Sequence, residues 1–139
     1  MDLFVYGTLL FPEVLIALLG RVPARQPASA VGWRVAALPG RPYPGLVPHP
    51  GGTALGQVIS GLVESEARLL DDYEDGGYRL TAITLADGRS CPSYVWRAGV
   101  LAQDWSLDRF AADQLAGYVL ECARWRVVAG WGPPPCDDR

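Results

Sequence analysis

Four acidic side chains crowd into LLDDYEDGGY, residues 69–78, and carboxylates are well suited to moving protons. In a helical frame Leu70, Tyr73 and Glu74 share a face at i, i+3 and i+4, while Asp71, Asp72 and Asp75 lie elsewhere. Glu74 is therefore the acid expected to point inward beside apolar neighbours. Burial disfavours the charged form of a carboxyl and raises its pKa, which suits a general base near neutral pH. The competing reading of the cluster is a solvated helix end.

Other chemistry is thinly supplied. All twelve basic residues are Arg, so lysine nucleophiles, Schiff bases and the lysine-bearing phosphate loop are excluded. His49 lies in a Pro-Gly segment and reads as a surface histidine. Ser60 precedes Gly61 but has no G-x-S-x-G elbow around it. Cys91, Cys122 and Cys136 are widely spaced and odd in number, which argues against a disulfide framework and against a zinc site with His49. Cys122 falls where a buried thiol would simply pack.

These residues need elements to position them. Residues 2–6 read as a strand ended by Gly7, and Pro12 opens a helix over 12–20 that stops at Gly20. A strand is expected over 29–38, with Trp33 and Val35 on one face. The next segment, 39–52, has five Pro and four Gly in fourteen residues. It is expected to be an ordered loop anchored by Tyr43, Leu46 and Val47, because it lacks too many N–H donors for a central strand. Residues 54–63 return to strand character, and 65–75 read as a helix that Ser65 can cap, stopped by Gly76-Gly77. Residues 78–97 form a hairpin turning at Asp87-Gly88. Leu107, Ala111, Leu115, Tyr118, Cys122 and Trp125 recur at spacings of three and four, predicting one long amphipathic helix over 106–126. The expected architecture is one α+β domain over 1–130, a mixed, barrel-like and mainly antiparallel sheet with flanking helices, then a Pro-rich tail over 131–139.

At 139 residues, half of them apolar, the chain suffices for one core. A net charge of −3 and a pI near 5.0 speak against nucleic acid or anionic membrane as partners. Asp2 stands where a signal peptide would be basic, Pro12 and Glu13 break the first apolar stretch, and no run of about 18 apolar residues follows. A soluble, cytoplasmic protein is expected.

FVYGTL (4–9) and LLDDYEDGGY (69–78) together resemble the signatures of the gamma-glutamylcyclotransferase-like superfamily, in which a Y-G-[ST]-L loop precedes an aspartate-x-x-glutamate segment. YPGLVP (43–48), GQVISGLV (56–63) and SYVW (93–96) resemble further family segments. The C-terminal helix with Tyr118, Cys122 and Trp125 is similar to the avirulence-induced-gene-like branch. The resemblance implies a small mixed β-barrel with flanking helices and an enzyme that cyclises a gamma-glutamyl group to 5-oxoproline, releasing the attached amine. It implies that Tyr6, Gly7, Thr8 and Leu9 hold the substrate α-carboxylate through backbone N–H groups, and that Glu74 is the catalytic glutamate. Tyr78 and Tyr94 are candidates for binding the glutamyl group or its carbonyl. The substrate supplies its own nucleophile, so no metal or cofactor is implied. One departure stands out: Glu74 is followed by Asp-Gly-Gly and then adjacent Tyr78-Arg79, whereas family members often have a longer spacer and Y-x-R. The second functional reading is a non-catalytic barrel that binds a glutamyl-like ligand or a protein.

Overall fold

The computed structural model describes residues 1–74 and 76–135. Its centre is β1, Leu3–Val5, all three residues buried. Side chains alternate across a strand. Leu3 and Val5 accordingly pack on one face with Val14, Leu15 and Leu18, whereas Phe4 and Tyr6 join Ala30, Leu46 and Val58 on the other. The expected first helix forms as α1, Pro12–Leu19, with proline in its first turn and Gly20 closing it at φ 77°.

Two long strands follow, β2 (Ala24–Ala37) and β3 (Pro44–Ser60), paired antiparallel. Much of the expected 39–52 loop is thus strand. Antiparallel partners alternate between hydrogen-bonded and non-hydrogen-bonded pairs. Ala37 N–H bonds Gln103 C=O and Val35 C=O accepts from Trp105 N–H, so Val35 and Ala37 turn their polar groups away from β3. Pro44 and Pro48 face Ala37 and Trp33, at positions of that same parity. Their missing N–H groups are therefore not required by β2. The register jumps from Val31↔Thr53 to Trp33↔Pro48, so residues 49–52 form the excursion, with Gly51 at φ 83°.

Next comes α2, Glu64–Tyr73, capped at its start by the Glu66 carboxylate on Val63 N–H at 3.0 Å and not by Ser65. The expected hairpin forms from β4 (Tyr78–Thr84) and β5 (Ser90–Trp96), with Gly88 at φ 86° and the Asp87 carboxylate accepting Arg89 N–H. The predicted single C-terminal helix is two: α3, Leu107–Asp113, and α4, Leu115–Val128, broken at Gln114. The halves bury different things. Phe110 of α3 packs on Phe11 and Trp105, while Cys122 and Arg126 of α4 turn inward. Leu107 is exposed, so the upper part of the predicted stripe is not a buried face.

Among the described residues the strands make one mixed sheet of order β2-β3-β1-β5-β4, with parallel pairing of β5 to β1 and β3. A bond from Ala86 N–H to Ser29 C=O approaches closure, but β2 and β4 do not pair and the expected barrel is not closed. The fold is α+β. No described helix is long and apolar enough to cross a membrane. Trp131, in the expected tail, donates its indole N–H to Asp72 at 2.8 Å.

Candidate active site

Where β1 ends, Tyr6 and Gly7 lead into a 3-10 turn, Thr8–Leu10, and a pocket of about 270 Å³ opens beside it. Such a turn leaves its first N–H groups without intrahelical partners. Tyr6, Gly7, Thr8 and Leu9 all line the pocket. Gly7 has a packing reason as well: a Cβ there would lie 2.7 Å from Pro44 Cγ. Its hydrogen lets the start of β3 close against the turn.

Glu74 lines the pocket with them. It does not do so from a helix face, as the spacing predicted. α2 ends at Tyr73, and Glu74 caps it in extended conformation (φ −67°, ψ 139°), its N–H on Leu70 C=O at 3.0 Å. Asp71 and Asp72 are exposed on α2, and Asp75 lies outside the described residues, as does Cys136. Among the described residues lining the pocket, Glu74 is the one carboxyl, and Lys, Arg and His are absent.

The rest is tyrosine. All six tyrosines of the chain line this pocket, contributed by the residue after β1, the residue before β3, α2, β4, β5 and α4. Tyr6 donates to Tyr94 C=O at 2.5 Å, and Tyr78 donates to Pro44 C=O. Tyr94 donates to the Asp71 carboxylate at 3.2 Å. Tyr73 and Tyr118 share a hydroxyl–hydroxyl bond. The Tyr78 ring meets Tyr94 and Trp96 edge-on and tilts against Tyr43.

Burial first, and the nearby Glu74 charge next, hold the Tyr6 phenol well above its ordinary range. Tyr78 is raised by burial, then by Tyr6 and Glu74, and Tyr94 by burial, then by Asp71 and Glu74. Tyr118 is raised by burial too, against the opposing bond from Tyr73. Burial suppresses phenolate, and a neighbouring carboxylate suppresses it further. These phenols remain neutral at physiological pH, able to donate or accept but not to act as anionic bases.

The sequence-predicted residues Tyr6, Gly7, Thr8, Leu9, Glu74, Tyr78 and Tyr94 thus meet at one pocket. Tyr43, Tyr73 and Tyr118 were expected only to pack, as apolar anchors of a loop or a helix face. Their shared residue type was the available signal, since a tyrosine carries a polar end into whatever it packs against. His49 is elsewhere, in a groove with Trp33 and Trp105. No group of three or more His, Cys, Asp or Glu suited to a metal occurs among the described residues.

Comparison with known proteins places the geometry in a family context. A family model described as gamma-glutamyl cyclotransferase, AIG2-like, matches residues 3–115. AIG2-like protein C of Arabidopsis thaliana is 38% identical over 101 residues, 69% of this chain and 59% of that protein. AIG2-like protein D of the same plant is 30% identical over 68% of this chain and 66% of its own length. The aligned region thus spans about three fifths of the first relative. An Arabidopsis thaliana protein solved in solution superimposes with TM-score 0.66 at 25% identity, covering 94% of this chain and 82% of its own. A structure titled gamma-glutamyl cyclotransferase has the same fold, with TM-score 0.58 at 13% identity over 99% of this chain and 89% of its own.

Proposed function

This chain belongs to the gamma-glutamyl cyclotransferase, AIG2-like family, and from that premise we propose that it converts a small gamma-glutamyl compound to 5-oxoproline and releases the attached amine. The observation that carries the reading is Glu74, one carboxylate in a tyrosine-walled pocket that opens on the N–H-bearing turn at Gly7 and Thr8.

The turn receives the α-carboxylate, as successive backbone N–H groups at a strand end receive anions. The α-ammonium lies toward Glu74. Tyr6 and Tyr78 commit their hydroxyl protons to backbone carbonyls, so their oxygens remain acceptors for ammonium N–H groups. Tyrosine ring faces also favour a cation. Folded in this way, the substrate brings its α-nitrogen onto its own γ-carbonyl carbon. Preorganisation of this kind contributes roughly 7–11 kcal/mol to such ring closures.

Glu74 takes a proton from the ammonium, and the freed amine attacks the γ-carbon. The C–N bond to the leaving group then breaks as Glu74 returns a proton to the departing nitrogen. Two protons leave the α-nitrogen in all and two arrive on the amine, so the carboxylate ends as it began. Tyr94 and Tyr78 shape the wall around the reacting carbonyl.

The test is a panel of gamma-glutamyl amines, dipeptides and glutathione, followed by chromatography of the products. Release of 5-oxoproline is expected from at least one member. The same compound with its α-amine acetylated is expected to yield nothing, since its nucleophile is gone. Release of free glutamate instead would identify a hydrolase, and binding without turnover would identify the non-catalytic member of this fold.

A further inference from the structure

A second cavity, of about 380 Å³, lies where α1 ends, α2 begins and α4 stops, and it shares no lining residue with the Glu74 pocket. Leu18, Leu19, Leu69 and Trp131 give it apolar walls. It also holds Arg126, in the last turn of α4 and only 7% exposed. Among the described residues no carboxylate pairs with this guanidinium, and its buried Nε–H has no acceptor. The carbonyl end of a helix favours a cation, but that diffuse charge leaves the guanidinium N–H donors unmet. A charge taken out of water without a partner is costly. The other charges at the cavity are already matched. Arg21 gives two bonds to Glu66, at 2.7 and 2.6 Å, and one to Gly61 C=O at 3.1 Å. Glu64, beside them on α2, pairs with Arg68 at 2.6 Å. One positive charge is left over, Arg126. The start of α2, where Val63 and Ser65 line the cavity, adds the positive end of a helix dipole.

We propose that this cavity binds a small organic acid, a monocarboxylate with an apolar body, its carboxylate on the Arg126 guanidinium and its body against Leu18, Leu69 and Trp131. The planar fork of a guanidinium matches the two oxygens of a carboxylate. A single unmatched positive charge suits a monoanion better than a phosphate dianion. The volume is in the range of small-molecule sites and larger than one bare oxyanion fills. Apolar walls with one buried polar group are the usual make-up of such a site. The proposal is independent of the cyclotransferase reading, since it uses none of the residues around Glu74.

The test is calorimetric titration of the full chain with sodium benzoate, a monocarboxylate with an apolar ring, at pH 7. Saturable binding with a dissociation constant at or below about 1 mM is expected. Arg126→Gln is expected to weaken it at least about tenfold, and so is replacing benzoate by the neutral benzamide. Inorganic phosphate is expected to bind at least about tenfold more weakly than benzoate. In nuclear magnetic resonance spectra the Arg126 Nε–H signal is expected to move with benzoate and to stay put with benzamide. If Arg126→Gln does not fold, that signal decides: movement upholds the site and a fixed signal overturns it. No saturation up to about 10 mM overturns the proposal, as does benzoate binding that Arg126→Gln leaves unchanged. Phosphate binding more tightly than benzoate overturns the carboxylate assignment. Pro135 lines the cavity, so Asp137 and Asp138 of the chain itself are a second source of carboxylate. Replacing both by Asn is expected to leave benzoate affinity within about twofold. A gain of about tenfold would identify the chain's own acids as the occupant and overturn the external ligand.

Discussion

Glu74 sits one residue past the end of a helix, and in the proposed mechanism that position lets one carboxylate serve as both base and acid. Its main chain is anchored on Leu70 C=O while its extended backbone leaves the helix axis. Around it stand phenols that burial keeps protonated and so unable to act as anionic bases. Another carboxylate of α2 behaves differently. Glu66 is raised by burial, but the bidentate bonds from Arg21, at 2.7 and 2.6 Å, with help from Val63 N–H, outweigh this and hold it below its ordinary 4.5. A carboxyl with a depressed folded pKa stabilises the fold above its unfolded pKa and loses that contribution as pH falls through the folded one. Arg21 is 39% exposed, so solvent screening limits the effect. Glu66→Gln is expected to lower stability by about 1 kcal/mol at pH 7, and the gap from wild type to narrow as pH falls below the ordinary carboxyl range and through the depressed folded value. Urea midpoints of the two proteins at pH 7 and pH 3 check this.

At the scale of elements, the pocket depends on two backbones meeting without a side chain between them. Gly7→Ala would place its Cβ 2.7 Å from Pro44 Cγ and 2.9 Å from Pro44 Cδ. Proline is rigid, so the turn or the start of β3 must shift, at a cost of about 1–3 kcal/mol. Thermal unfolding is expected to show a lowered midpoint, and the variant to bind gamma-glutamyl compounds more weakly because the N–H groups of the turn move with it. Elements whose signals are local were legible in the sequence. Gly20 stops α1, and Asp87-Gly88 turns the β4–β5 hairpin, because each is decided by residues next to one another. β3 was not legible. Its prolines look forbidding until the parity of their pairing with β2 is known, and that parity is set by Gln103 and Trp105 far along the chain. The break at Gln114 escaped for a similar reason, since Phe110 and Cys122 answer to different neighbours.

At the scale of the molecule, the pocket is a meeting place of nearly every element, with one tyrosine from each of six segments. That the YGTL turn and Glu74 are candidate site residues was legible, the first through resemblance alone, and the two meet at one pocket. Glu74 was reached through a helical face that the structure replaces with a C-cap, so it lines the pocket by a geometry the spacing did not predict. Tyr43 and Tyr118 were not legible as pocket residues, because only the closed fold brings residues 75 positions apart to one wall. An open sheet whose edges come within one hydrogen bond of each other leaves its interior accessible from the end where β1 stops. The most direct measurement is 5-oxoproline release by wild type and Glu74→Gln side by side, with ligand affinity measured for both by calorimetry. Release lowered at least about a thousandfold with affinity within about threefold is expected, because the amide keeps the shape of the carboxyl and cannot take the proton. Turnover by Glu74→Gln at the wild-type rate would contradict the assignment of the base.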